Sequence, residues 1–75
     1  MVKTVWDLAP NESSRIKYLL EDELVPAMSD LGCIPGATVK LIRRTVLNGP
    51  VYVQVNDNFL AIRQKEAKLI VVEDQ

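Results

Sequence analysis

Turn-forming residues punctuate this chain at short intervals: Ala9-Pro10-Asn11-Glu12, Gly32, Ile34-Pro35-Gly36, Asn48-Gly49-Pro50 and Asn56-Asp57-Asn58. Proline presets φ at the second position of a β-turn, and glycine or asparagine supplies the positive φ that several turn types need next. The intervals leave room only for brief strands and one short helix. With 75 residues in all, the chain makes a single domain.

Between the turns the apolar residues recur mostly with a period of two. From Ser14 onward, Ile16, Tyr18 and Leu20 fall on one side and Arg15 and Lys17 on the other, which predicts a half-buried strand. Over Thr38 to Thr45, Val39 and Leu41 alternate with Thr38, Lys40 and Arg44, with Arg43 on the far side. Ile42 breaks the alternation, as a bulge or burial on both faces would. Val51, Val53 and Val55 alternate with Tyr52, Gln54 and Asn56. Leu60 and Ile62 then lie opposite Ala61 in a strand from Phe59 to Arg63, and Leu69 to Val72 form the last strand.

Helical spacing occurs once. Leu24, Met28 and Leu31 recur at intervals of four and three, and Pro26 suits a first turn, so a short helix is expected from Pro26 to Leu31. Gly32 stands where a helix C-cap requires a left-handed residue. Gln64 to Ala67 reads as one 3₁₀ turn, and Glu73-Asp74-Gln75 as a solvated tail. The fold expected is mainly β: a small, strongly bent barrel of about five antiparallel strands, with the helix inserted after the first.

Composition narrows the chemistry. There is no histidine, so neither a Ser-His-Asp nor a Cys-His pair can form, and the glycines at 32, 36 and 49 match no phosphate-cradling loop. We therefore expect no enzyme and no cofactor. One cysteine cannot form an internal disulfide, and the N-terminus lacks the apolar core of a signal peptide, which together suggest a cytoplasmic protein. A net charge of −1 and only four aromatic residues argue against nucleic acid as a partner. The charge is uneven: residues 1–38 hold three positive against six negative groups, and residues 39–75 six against four.

The order of motifs is more specific than any one of them. Leu8 with Pro10, a strand, Asp30-Leu31-Gly32, Pro35-Gly36-Ala37-Thr38-Val39, Asn48-Gly49-Pro50, Ala61-Ile62-Arg63, Glu66-Ala67 and Ile70-Val71-Val72 follow one another across essentially the whole chain. This series resembles the FeoA family, with Asn11 standing where relatives usually carry glycine. The resemblance implies an SH3-like barrel and a cytoplasmic accessory role in bacterial ferrous iron uptake. The partner would be the cytosolic domain of a FeoB-type membrane transporter, so the membrane would be reached only through that partner. It also implies a second reading, a small metal- or ligand-sensing domain like the C-terminal domain of metal-dependent repressors.

The candidate site residues follow from where apolar side chains are hard to bury. Leu24 and Met28 on the helix, with Val46, Leu47, Pro50 and Arg44 around the following turn, are read as one partner-binding patch. Asn11, Gly32, Pro35, Gly36 and Gly49 are read as structural turn residues. For metal, only Glu21, Glu23 and Cys33 offer donors. Adjacent carboxylates rarely converge on one ion, and nothing near Cys33 would lower its pKa, so capping and core packing fit these three better. The apolar helix and the strand edges could also pair two copies of the chain.

Overall fold

The computed structural model describes residues 2–73. Six strands form one antiparallel sheet: β1 (Lys3–Thr4), β2 (Ser13–Leu19), β3 (Thr38–Arg44), β4 (Val51–Val55), β5 (Asn58–Ile62) and β6 (Ile70–Val72), in the order β1-β6-β2-β3-β4-β5. The sheet bends enough that the three principal extents are nearly equal, 28 × 26 × 25 Å. Among the described residues there are also two helices, α1 (Val25–Asp30) and α2 (Gln64–Ala67), and 3₁₀ turns at Val5–Asp7 and Asp22–Leu24. The strand missed by periodicity is β1, whose two residues are too few to display one. The inserted helix accordingly follows the second strand.

The turns form as their residues dictate. Asn11 takes φ +70 after Pro10, and the Glu12 N–H closes the turn on the Ala9 carbonyl at 2.9 Å. At the end of α1, Gly32 (φ +87) donates to the Ser29 carbonyl and Cys33 donates to the Met28 carbonyl. That pair of bonds is a Schellman cap and satisfies two of the carbonyls a helix end leaves open. Pro35 and Gly36 (φ +93) then make the next turn, closed by Ala37 N–H to Ile34 O at 3.0 Å.

Two bulges correct the simple alternation. In β2, Ile16 pairs with Val72 and Tyr18 with the adjacent Val71, so Lys17 is an extra residue. Ile16 is buried, but beyond the bulge the phase reverses: Leu19 packs on the core, and Tyr18 and Leu20 are exposed. In β3, Leu41 pairs with Val53 and Arg43 with Tyr52, which makes Ile42 the extra residue. Arg43 therefore joins the outer face, 4.8 Å from the Tyr52 ring centroid. Arg44, paired with buried Val51, leaves the face of Lys40 that alternation assigned to it.

The core is a set of small branched side chains, with Val39, Leu41, Val51, Val53, Val55, Ile16, Ile62 and Ile70 all buried. Residues 64–67 make one α turn rather than 3₁₀, since Ala67 and Lys68 donate to the carbonyls four residues back, at 2.9 and 3.0 Å. Glu73 is held in place: its N–H reaches Arg15 O at 2.9 Å, and its carbonyl accepts from the Ser14 hydroxyl at 2.7 Å. Asp74 and Gln75, the rest of the expected tail, lie outside the described residues.

Candidate functional site

The helix and the 46–50 loop do not make one patch. Helix α1 sits beyond the Thr38 end of β3 and the loop follows Arg44 at its other end, roughly 20 Å away along the strand. The helix also turns its predicted binding side inward. Met28 is only 8% exposed and belongs to the core, and Leu24 is half-buried against it. The exposed apolar residues of that region are Val25, Leu31, Ile34 and Leu20. The i, i+4 spacing puts Leu24 and Met28 on one side of the helix, but spacing alone does not say which way that side points.

The loop is different in kind. Thr45 Oγ1 donates to the Pro50 carbonyl at 2.8 Å, and Gly49 N–H reaches Val46 O at 3.2 Å, so the connection is closed at two levels. Within it Leu47 has φ +59 and Asn48 φ +58, the φ pattern of a type I′ turn. Leu47 is 95% exposed and Val46 82%. A leucine held in a left-handed conformation costs about 1–2 kcal/mol and here buries nothing in return. Gly49, by contrast, has no positive φ. It is required because a Cβ there would lie 2.5 Å from Thr45 Oγ1.

Beside the loop, Arg44 ties the N-terminal segment to the β3 end. Its guanidinium donates to the carbonyl of Trp6 and to that of Leu8, the latter at 2.9 Å, and lies 4.8 Å from the Trp6 ring centroid. Lys68 approaches the same ring at 6.0 Å. Trp6 is half-buried, so part of an indole flanked by two cations remains on the surface. The sequence signal missed here was the pairing of Trp6 with Arg44, which no local spacing reveals.

The remaining candidates are dispersed. Cys33 is fully buried, and desolvation raises its pKa, keeping a protonated thiol at neutral pH. Glu21 and Glu23 are exposed. Among the described residues no group of three His, Cys, Asp or Glu is placed to hold a metal ion. Nor, among them, does any buried side-chain nitrogen or oxygen lack a hydrogen-bond partner. The Glu12 carboxylate has a lowered pKa: it accepts from the Ala9 N–H at 2.8 Å and from the Lys3 ammonium. Both contacts hold the N-terminal turn, not a reacting group. No helix among the described residues is long and apolar enough to cross a membrane.

Fold and surface together define a small β-barrel of the SH3 type that presents exposed apolar side chains on a turn closed by hydrogen bonds. A family model described as the FeoA domain matches residues 3–74, and the chain belongs to the FeoA family. Among solved structures it is similar to iron(II) transport protein A from Clostridium thermocellum, at 28% identity and TM-score 0.87, covering 95% of this chain and 44% of that one. This chain thus spans less than half the length of that relative. FeoA from Stenotrophomonas maltophilia, solved in complex with zinc and described as a prokaryotic SH3 domain protein, matches at 26% identity and TM-score 0.82, covering 95% and 89%. A manganese-dependent transcriptional repressor shares the fold at 10% identity and TM-score 0.85, covering 99% of this chain and 42% of that one. A comparison with curated protein sequences returns no match.

Proposed function

We propose that this protein is a non-catalytic cytoplasmic accessory of ferrous iron uptake that acts by docking its 46–50 loop onto the cytosolic domain of a FeoB-type transporter. The observation that carries the reading is Leu47, almost wholly exposed at φ +59 on a loop closed by two hydrogen bonds. Strain retained on an exposed apolar side chain marks a position selected for something other than folding. Val46 and Pro50 extend the apolar tip, and Arg44 holds Trp6 beside it. A preset loop loses little entropy on binding, which favours a small contact surface. Family membership and the S. maltophilia relative, described as a candidate ferrous iron transport activating factor, support the same direction.

The test is calorimetric titration of the purified protein against the transporter's cytosolic domain. Leu47→Asp should weaken binding at least tenfold, about 1.4 kcal/mol, while the circular dichroism spectrum and melting midpoint stay unchanged. Undiminished affinity in that variant would remove the loop from the interface.

A further inference from the structure

The sheet ends on β5 at one side and on two-residue β1 at the other, so β5 is its long open edge. Natural sheets guard such edges with charge, proline or a bulge. Between Asn58 and Ile62 there is no charged residue and no proline, and the β4–β5 register runs unbroken from Val51↔Ile62 to Val55↔Asn58. Phe59, its second residue, is 71% exposed.

The two-residue connection Asn56-Asp57 makes Val55 and Asn58 a hydrogen-bonded pair. Leu60 and Ile62 then bond inward to β4 as well, and the N–H and C=O groups of Phe59 and Ala61 point out from the sheet. Among the described residues neither group is engaged by a turn, loop or cap.

We propose that β5 pairs antiparallel with β5 of a second copy, centred on Leu60, to join two barrels through a continuous β4-β5-β5-β4 sheet. That register places Phe59 opposite Ala61 of the other copy, so each outward-pointing backbone pair exchanges two hydrogen bonds. The small alanine leaves room for the phenylalanine ring, and the two half-buried Leu60 side chains meet on the inner face. The same register sets Asp57 opposite Arg63 of the other copy at both ends, and both residues are exposed. Shifting it by two residues in total, to Phe59 opposite Phe59 or Ala61 opposite Ala61, loses that charge match. The two 46–50 loops emerge at opposite ends of the joined sheet, so the assembly leaves each free.

Sedimentation velocity over a concentration series, with amide exchange read by NMR, tests the pairing. The expected result is a monomer–dimer equilibrium in which the Phe59 and Ala61 amides exchange slowly when concentrated and rapidly when dilute. Asp57→Arg or Arg63→Asp alone sets like charges opposite at both ends and should raise the dimer Kd by about fivefold or more. The double charge exchange should restore it. A monomer at all concentrations, exchange at Phe59 and Ala61 independent of concentration, or a double variant no tighter than the singles would each overturn the proposal.

Discussion

The two ends of β3 both require left-handed backbone, and they meet the need with different residues. In the segment leading into the Thr38 end the positive-φ positions are Gly32 and Gly36, where no side chain is strained; the neighbouring β4–β5 turn uses Asn56 at φ +55, a residue type that tolerates it. At the Arg44 end they are Leu47 and Asn48, while the glycine of that loop, Gly49, is spent on a close approach to Thr45. The first end is optimised for folding: a capped helix with Met28 driven into the core. The second accepts a conformational cost to keep an exposed leucine. On the function proposed above, stability and recognition are thus divided between opposite poles of one strand.

The sharpest way to break this division is at Met28. Met28→Asp places a charge in the core and should cost at least about 3 kcal/mol, out of a total of about 4–11 kcal/mol for a chain of this size. Val25→Asp, on the exposed first turn of the same helix, should stay within about 0.5 kcal/mol. Urea denaturation distinguishes the two, and equal losses would mean that the helix face has been assigned the wrong way round.

Next in size is the glycine at the helix end. A Cβ on Gly32 has room, its nearest contact being Val55 Cγ1 at 3.8 Å, so Gly32→Ala measures only the left-handed penalty. We expect a loss of about 1–2 kcal/mol. The reciprocal change, Leu47→Gly, should leave stability unchanged or raise it by up to about 1 kcal/mol, because it removes the same penalty. It should nonetheless weaken transporter binding. A Leu47→Gly protein that melts lower and binds normally would reverse the reading of this pole.

The smallest effect concerns acid. The lowered pKa of Glu12 arises first from the Ala9 N–H and then from Lys3. A carboxyl whose folded pKa lies below its unfolded value contributes stability above the unfolded value, here near 4.5, and loses it as pH falls through the folded pKa. Wild type should therefore lose slightly more stability than Glu12→Gln as pH drops below about 4.5. Thermal melts at several pH values check this, and parallel curves would count against it.

Much of the fold was legible because turns are local. Pro10-Asn11, Gly32 and Pro35-Gly36 each declare their geometry through backbone chemistry that needs no distant partner. Alternation predicted β4 and β5 for the same reason. What stayed hidden depends on pairing across the sheet. The extra residue Lys17 has no signature of its own, and at Ile42 the broken alternation is equally compatible with a bulge and with burial on both faces; each bulge reverses the phase after it, so simple alternation puts Tyr18 and Arg44 on the wrong faces. Of the candidate site, Val46, Leu47 and Pro50 were found from the cost of exposing apolar residues in a turn. Phe59 was passed over because an edge exists only once the strand order is known.

The added residue at Ile42 acts as a phase switch for the chemistry downstream of it. Were the bulge to straighten, with Ile42 drawn into the ladder opposite Tyr52, Arg43 would fall opposite Val51 and Arg44 would pass to the outer face, exchanging the two arginines. The anchor of the N-terminal segment would be lost without any change to a residue that touches it. Relatives of the same length that pair this strand without a bulge are therefore expected to differ in how the Trp6 region is fastened, even where every side chain around it is the same.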